Sequence, residues 1–272
     1  MSSERPDGAP VRVGIVDYLN SRPLAWGFLT GRAPIGYEAS YHPPAEVARR
    51  LAEGELDVGL IPSIELQRIP DLRVLPEMCV AAKREVRSVL LVSDKPPGEI
   101  RRVALDLNSR TSAALVRIVL ADRYGVRPET IEAAPRVEEM LEDADAALVI
   151  GDPALHIARG RYRIFDLARE WLELTGHPFA FAVWAVRAGV TLESAAVDVF
   201  RDNLALGLRE IERISSEAAE ELELDLVEVV EYLTQNLSFE LGDDELASLE
   251  EYFQRAASHG LIERADPIRF VS

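Results

Sequence analysis

Residues 11–23 read VRVGIVDYLNSRP, an apolar run followed by a polar segment. Its first six residues form an apolar run that only Arg12 and Gly14 interrupt, as expected for a buried β-strand. A polar loop follows from Asp17 to Pro23, and apolar Leu24 then opens a predicted helix. A buried strand that ends in a polar loop before a helix is the usual place for a ligand in an open α/β sheet. The stretch therefore predicts an α/β fold with a ligand site at residues 17–23.

Asn20 is the first candidate site residue, because its carboxamide offers both a hydrogen-bond donor and an acceptor. The alternative is that Asn20 only caps the helix that follows. The loop by itself does not decide between these two roles.

The composition describes an ordinary globular protein and excludes some partners. The 272 residues suffice for one large or two modest α/β domains. A hydrophobic fraction of 48% and a charged fraction of 28% exclude a disordered chain. With 30 basic and 47 acidic residues the net charge is −17, which argues against nucleic acid because no basic stripe would neutralise phosphates.

Cys79 is the only cysteine, which excludes an intramolecular disulfide and a cysteine-based metal cluster. No spacing of histidines and carboxylates suggests a metal site. The polar N-terminal sequence MSSERPDGAP lacks the apolar core of a secretion signal, and no later stretch is long enough to span a membrane. We therefore expect a cytoplasmic protein without a membrane partner, and we leave its oligomeric state open.

Strands and helices alternate through the first two thirds of the chain, which predicts mostly parallel sheets with the ligand at the strand carboxyl ends. Two longer apolar strands, Val86–Ser93 and Phe179–Val186, flank the block between them, and from Thr191 onward the pattern predicts only helices. This order predicts an outer lobe of residues 1–92 and 187–272, an inserted inner lobe of residues 93–186, and a ligand cleft between the two.

The start of a predicted helix carries the most informative polar cluster: Ser109, Arg110, Thr111 and Ser112. Hydroxyls, the unpaired amides of a first helical turn and the helix dipole together favour a bound carboxylate or phosphate. Arg110 would add charge-assisted hydrogen bonds. The alternative is plain N-capping of the helix.

Three further turns contribute candidates that face the predicted cleft. Gly151 lets a ligand approach the backbone, and Asp152 is either a helix cap ahead of Pro153 or a site carboxylate. Ser63 follows the predicted strand 56–61, and Ser88 lies at the start of the core of the strand Val86–Ser93. These residues would meet Asn20 in the cleft.

The sequence lacks GxGxxG, GxxxxGK[ST], GxSxG and HExxH, the motifs of nucleotide-binding proteins, serine hydrolases and zinc proteases. The residues alone therefore indicate a two-lobed protein that closes on a small anionic ligand. A binding protein and an enzyme both fit this description.

Seven segments together resemble the chorismate dehydratases of the futalosine route to menaquinone. In chain order they are YLNSRPLAWGF, LDVGLIPSIEL, SVLLVS, DLNSRTSAALVRIVL, ALVIGDPAL, FDLAREWLELTGHPFAFAVW and YLTQNLSFELGDDEL, which span Val11 to about His259. The most specific parts are Tyr-Leu-Asn-x-x-Pro, Ser-Arg-Thr-Ser-x-x-Leu and Trp-x-x-x-Thr-Gly-x-Pro-Phe. The resemblance implies the type II periplasmic-binding-protein fold, which agrees with the two lobes.

The resemblance also implies a reaction, the dehydration of chorismate to 3-[(1-carboxyvinyl)oxy]benzoate with no metal or organic cofactor. Thr111, Ser112 and the amides beside them would suit one substrate carboxylate, with Tyr18, Ser109, Arg110 and Gly151 as further binding residues. Ser63 and Ser88 would hold the other carboxylate. Asn20 would orient the C4 hydroxyl or the enolpyruvyl group.

The identity of the base is the open point of this prediction. Asp152 is the only carboxylate among the candidate residues, and a substrate carboxylate is the alternative. Our hypothesis is that no protein side chain is indispensable as the base.

Three other functions remain as alternatives. A 1,4-dihydroxy-6-naphthoate synthase of the same pathway should have a different opening motif and a well-placed histidine. A solute-binding protein should have a signal sequence, and a ligand-sensing domain should have a DNA-binding segment. The sequence shows none of these features.

Overall fold

The computed structural model describes residues 9–158, 160–192 and 194–271. The strands are β1 Val11–Val16, β2 Tyr37–His42, β3 Val58–Pro62, β4 Arg73–Ala82, β5 Val89–Ser93, β6 Arg102–Asp106, β7 Glu129–Ala133, β8 Ala146–Ile150, β9 Arg163–Asp166, β10 Phe179–Val186 and β11 Ser238–Leu241. The helices are α1 Arg22–Leu29, α2 Pro44–Ala52, α3 Thr111–Asp122, α4 Val137–Asp143, α5 Asp152–Leu155, α6 Leu167–Thr175, α7 Ser194–Arg209, α8 Ile211–Glu221, α9 Leu226–Glu231 and α10 Asp243–Ser258. Short 3-10 turns occupy Leu19–Ser21, Ser63–Gln67 and Pro97–Glu99, and a π-helical turn occupies Tyr232–Asn236.

The strands form two sheets, one in each lobe. The outer sheet has six strands in the order β11-β4-β10-β3-β1-β2, and the inner sheet has five in the order β7-β6-β8-β5-β9. The predicted two-lobed α/β architecture with a helical C-terminal part is confirmed. Because β1, β3, β6 and β8 all end toward the space between the lobes, the loops that follow them meet there.

The sheets are mixed, and the prediction of mostly parallel sheets is corrected in this respect. Pairs β1–β2, β1–β3, β6–β7 and β6–β8 are parallel. Strands β4, β5 and β10 pair antiparallel with their neighbours. The reason is that β5 and β10 enter their sheets from the other lobe and run against the strands already there.

The boundary strands differ from their predicted placement. Val89–Ser93 pairs with β8 and β9 in the inner sheet, whereas Phe179–Val186 pairs with β3 and β4 in the outer sheet. With lobe boundaries at residues 92 and 186, β5 would belong to the outer lobe and β10 to the inner lobe. In the structure β5 lies in the inner sheet and β10 lies in the outer sheet. Both strands are almost entirely buried, and a continuous apolar run is compatible with either sheet. The lobe boundaries themselves stay a prediction.

Two elements were not predicted and one was predicted in pieces. The edge strand β2, YEASYH, has no apolar run, and β11 is a four-residue edge strand in the region expected to be helical. Strand β4 is a single ten-residue strand, whereas the sequence, with two apolar runs at residues 72–75 and 78–82, predicts two shorter strands. Glu77 has a φ of +70°, which is a local irregularity inside that strand and explains the apparent break.

The C-terminal helix α10 packs behind the cleft and joins the two lobes. The Tyr252 ring lies 5.1 Å from that of Phe179, and its hydroxyl donates to the Thr111 carbonyl at 2.8 Å. Trp171 Nε1 donates to Ser248 Oγ at 2.9 Å. One continuous hydrophobic core runs through both lobes, so the back of the cleft is held by packing as well as hydrogen bonds.

None of the helices within the described ranges combines the length and apolar character that a membrane crossing requires. The cytoplasmic location expected from the sequence stays a prediction.

Candidate active site

A cleft lies between the lobes at the carboxyl ends of β1, β3, β6 and β8. The residues that line it are Val16, Tyr18, Asn20, Pro44, Leu60, Pro62, Val80, Val89, Asn108, Arg110, Thr111, Ser112, Ile150, Gly151, Phe181 and Ala182. Its cavity volume is about 60 Å³, so the walls of the cleft lie close together in this structure. Its floor is apolar and its polar side chains lie on two opposite rims.

The outer rim is the loop after β1, and its backbone is held from both lobes. The Asp152 carboxylate accepts the Leu19 N–H, at 2.9 Å to Oδ1 and 3.2 Å to Oδ2. Ser21 Oγ donates to the carbonyls of Val16 and Tyr18. Within the described part of the chain, no side-chain hydrogen bond caps α1, so Asn20 does not have the capping role.

Gly151, in the turn after β8, lies against the Tyr18 ring of the outer rim. Gly151 has a φ of +67°, and a Cβ on it would lie 2.5 Å from Cε2 of Tyr18. Glycine is required here both for the left-handed backbone conformation and for the approach of the ring.

The inner rim is the loop after β6 and the first turn of α3. Thr111 and Ser112 are buried and line the cleft, whereas Arg110 is exposed beside them. Among the described residues no side chain caps α3, so the alternative of plain N-capping is not supported. Unpaired first-turn amides and the helix dipole favour a carboxylate at this position.

Ser109 lies next to this first turn and is 7% exposed. Its hydroxyl finds no hydrogen-bond partner among the described residues. A buried hydroxyl without a partner is costly, so the inner rim keeps unused hydrogen-bonding capacity.

Ser63 lies behind the cleft lining and not in it. Its Oγ donates to the Ala180 carbonyl at 2.9 Å and lies 3.4 Å from Thr111 Oγ1. Thr111 Oγ1 in turn accepts the Ile64 N–H at 3.1 Å. Ser63 therefore contacts the inner rim but is engaged in joining the lobes.

Ser88 is fully buried at the crossover into β5. Its Oγ accepts the Tyr232 hydroxyl at 2.8 Å, and its carbonyl accepts the Gly151 N–H at 2.8 Å. Ser88 is thus one layer below the cleft, between the C-terminal helices and the turn that carries Gly151.

Two carboxylates lie under the rims. Burial raises the pKa of Asp152 to about 6, and the hydrogen bond from the Leu19 N–H acts in the opposite direction. Burial also raises the pKa of Asp106, which accepts the Asn108 N–H at 2.9 Å. Neither carboxylate belongs to the lining of the cleft.

The predicted site residues thus fall into two groups. Six of them meet in the cleft lining: Tyr18, Asn20, Arg110, Thr111, Ser112 and Gly151. Four others, Ser63, Ser88, Ser109 and Asp152, lie behind it.

Sequence reasoning missed Asn108, Asp106 and Tyr232. Asp106 and Asn108 directly precede the polar cluster Ser109–Ser112, and their position at the end of a buried strand was the available signal. Tyr232 comes from the C-terminal helices, and nothing local in its sequence places it near the cleft.

In the ranges that the structure describes, no three His, Cys, Asp or Glu side chains are grouped so that they could hold a metal ion.

A family model described as menaquinone biosynthesis matches residues 11–258 of the chain. The chain is 29% identical over 262 residues to the chorismate dehydratase of Thermus thermophilus, covering 89% of this chain and 94% of that protein.

Solved structures with low sequence identity share the fold. A crystallised protein from Archaeoglobus fulgidus superposes with a TM-score of 0.78 at 17% identity, covering 95% of this chain and all of that one. The periplasmic aliphatic sulphonate binding protein of Escherichia coli superposes with a TM-score of 0.63 at 14% identity, covering 97% and 94%. The predicted periplasmic-binding-protein-like fold is confirmed by these likenesses.

Proposed function

We propose that this chain, which belongs to the menaquinone biosynthesis family, dehydrates chorismate to 3-[(1-carboxyvinyl)oxy]benzoate. The observation that carries the proposal is its similarity to the Thermus chorismate dehydratase over 89% of the chain. The family match over residues 11–258 includes every residue that lines the cleft.

The reaction removes one water from the ring of the substrate. The proton on ring carbon C3 is acidified by the ring carboxylate through the adjacent alkene. Its loss gives an extended enolate, which expels the C4 hydroxyl as water and leaves an aromatic ring. A site for this chemistry holds two carboxylates, stabilises charge on one of them and excludes water.

The cleft suits a substrate that is apolar in the middle and anionic at its ends. Its floor, built by Val16, Leu60, Val89, Ile150 and Phe181 among others, offers a surface for the ring. The uncapped amides of α3, with Thr111 and Ser112, suit one carboxylate, and Arg110 adds a positive charge at the mouth. Asn20 and Tyr18 on the opposite rim would orient the remaining oxygens.

The contacts of Asp152 support the hypothesis that no protein side chain is indispensable as the base. Both of its carboxylate oxygens lie within hydrogen-bond distance of the Leu19 N–H. It also lies behind the cleft lining. A base has to reach the proton it removes, and the enolpyruvyl carboxylate of the substrate lies next to C3. The substrate itself would then accept the proton.

The test is to incubate the purified chain with chorismate, with and without a chelator, and to identify products by mass spectrometry. The expected product is lighter than chorismate by one water, in equal yield with the chelator. Binding without turnover would contradict a dehydratase and favour a solute-binding or sensing function. Absence of binding would contradict chorismate as substrate, and the bicyclic futalosine-derived intermediate would be assayed next.

A further inference from the structure

The first peptide group of α3 is held by a tyrosine of the C-terminal helix α10. The Tyr252 hydroxyl donates to the Thr111 carbonyl at 2.8 Å, and both side chains are buried. Burial raises the pKa of Tyr252, so the hydroxyl keeps the proton that it donates. A helix carbonyl accepts the N–H four residues on, and its second lone pair can accept another donor. Tyr252 therefore adds a bond from outside the helix.

The same peptide group carries the Ser112 N–H. In a trans peptide the carbonyl of one residue and the N–H of the next point in opposite directions. The Ser112 N–H belongs to the first turn, whose amides have no acceptor within the helix. No described side chain caps α3, and Ser112 itself lines the cleft. A bond that fixes the Thr111 carbonyl therefore also fixes the direction of an N–H that is available at the cleft.

Thr111 is held at a second atom as well. Its Oγ1 accepts the Ile64 N–H at 3.1 Å, from the 3-10 turn that follows β3. The Tyr252 ring is itself fixed, because it packs edge-on against Phe179 of β10 with 5.1 Å between the ring centroids. The start of α3 is thus bound from two elements outside the helix, which leaves its first peptide group little freedom to rotate.

The bond from Tyr252 also makes the Ser112 N–H a stronger donor. Hydrogen bonds that follow one another through a peptide group polarise each other, and they do so most where water is excluded. Amides of a first helical turn favour an anionic acceptor because of the helix dipole. A carboxylate is therefore the group that gains most from an N–H that is both oriented and polarised.

We infer that Tyr252 is a positioning residue whose hydroxyl, through the Thr111 carbonyl, orients and strengthens the Ser112 N–H as a donor to a substrate carboxylate. This inference rests on the proposed function. It assigns α10 a role in substrate binding, in addition to its packing behind the cleft.

The first experiment compares Tyr252→Phe with the wild type, since phenylalanine keeps the ring and removes only the hydroxyl. KM for chorismate and the calorimetric Kd of 3-[(1-carboxyvinyl)oxy]benzoate should each rise about threefold to tenfold, with kcat within about twofold. Tyr124→Phe is the matched control, because Tyr124 lies beyond the carboxyl end of α3 and its hydroxyl donates to Glu170 at 2.6 Å. The control should keep the wild-type KM and Kd.

A role of Tyr252 in stability alone predicts a different result. Tyr252→Phe would then unfold at a lower temperature than the wild type and keep the wild-type KM and product Kd. This outcome would overturn the inference. Thermal unfolding of both variants checks that each is folded under the assay conditions.

The wild-type protein permits a direct measurement of the peptide group, because Thr111–Ser112 is the only Thr-Ser pair in the sequence. Labelling threonine carbonyls with ¹³C and serine amides with ¹⁵N makes this single group visible by NMR. Adding the product should move the Ser112 amide proton downfield, and the shift should be smaller in Tyr252→Phe. A wild-type amide proton that does not respond to the product would overturn the inference, even if the variant does not fold.

These measurements separate the inference from the proposed function. If the wild type dehydrates chorismate but the Ser112 amide proton does not respond to the product, the inference alone fails. If the wild type neither dehydrates chorismate nor binds the product, the proposed function fails and the inference falls with it.

Discussion

The two rims of the cleft differ in how their polar groups are used. On the outer rim, the amides of Asp17, Leu19 and Ser21 are engaged, with the Leu19 N–H bound to Asp152, and Ser21 Oγ donates to the Tyr18 carbonyl. On the inner rim, α3 starts without a side-chain cap from any described residue, and the buried Ser109 hydroxyl has no partner within the same residues. The backbone of the outer rim is therefore held in place before a ligand binds. The inner rim, in contrast, has polar groups without a hydrogen-bond partner among the described residues.

Because of this difference, we expect the outer rim to position the substrate and the inner rim to bind it. Groups that are already engaged act by holding a side chain or backbone in place, and their loss should mainly affect kcat. Groups that are free act by binding, and their loss should mainly affect KM. Variants in the two rims should therefore differ in which of the two kinetic parameters changes.

The largest effect is expected where Gly151 lies against the Tyr18 ring of the outer rim. Gly151→Ala would place a Cβ 2.5 Å from the Tyr18 ring. The Tyr18 ring must then move away from the turn after β8, and kcat/KM should fall about a hundredfold. Gly125→Ala is the matched control, because Gly125 has a φ of +68° and no atom within 4 Å of the added Cβ. The control should lose only about 1–2 kcal/mol of unfolding free energy. Equal activity in the two variants would mean that the contact is not needed.

Arg110 tests the inner rim as a binding surface. Arg110→Ala should raise KM for chorismate about tenfold and change kcat little, because an exposed charge-assisted hydrogen bond is lost. Arg127→Ala removes another exposed arginine of the inner lobe and should leave KM unchanged. Steady-state kinetics of the three proteins check this. A fall in kcat alone for Arg110→Ala would contradict the division between the rims.

Asp152→Asn tests whether this buried carboxyl only supports the outer rim. The asparagine keeps an oxygen for the Leu19 N–H, so kcat should stay within about tenfold of the wild type. A loss of many thousandfold with the substrate still bound would identify Asp152 as the base.

The same variant has a predicted signature in stability. Burial raises the pKa of Asp152 to about 6, so the folded state holds this proton more tightly than the unfolded state does. Its contribution to stability is full below about pH 4 and is lost as pH rises through 6, with a total of about 3 kcal/mol. Asp152→Asn should flatten this part of the curve of unfolding free energy against pH. An unchanged slope would mean that the carboxyl does not titrate there.

The smallest effect is expected for the Ser109 hydroxyl of the inner rim, and it concerns the free energy of unfolding. Ser109→Ala removes a buried hydroxyl that has no partner in the described chain, and should raise the unfolding free energy by up to about 1 kcal/mol. Ser215→Ala removes a hydroxyl that donates to the Ile211 carbonyl at 2.7 Å, and should lower the unfolding free energy by a similar amount. Chemical denaturation measures both. A loss for Ser109→Ala would show that its hydroxyl is engaged after all.

The sequence predicted the parts of this molecule that depend on local pattern. The strands β1 and β3, and the polar residues after them, follow from apolar runs that end in polar residues. The sheet to which β5 and β10 belong could not be predicted, because a run buried on both faces carries no information about its neighbours. The edge strand β2 was not predicted because it lacks an apolar run that would indicate a strand.

The residues of the candidate active site could likewise be predicted only where a local sequence pattern marks them. Asn20, Thr111 and Ser112 were found because each lies where a strand gives way to a helix. Tyr232 reaches Ser88 only through the packing of the C-terminal helices, and a contact between distant segments leaves no local pattern. The unpartnered hydroxyl of Ser109 likewise becomes visible only once its surroundings are known.

Amide hydrogen exchange with and without 3-[(1-carboxyvinyl)oxy]benzoate tests most directly whether the substrate lies between the two rims. The product is the suitable ligand because it is not consumed during the measurement. We expect slower exchange both in the first turn of α3 and in residues 17–21 when the product is present. Protection confined to other surfaces, with both rims unchanged, would contradict the proposed site.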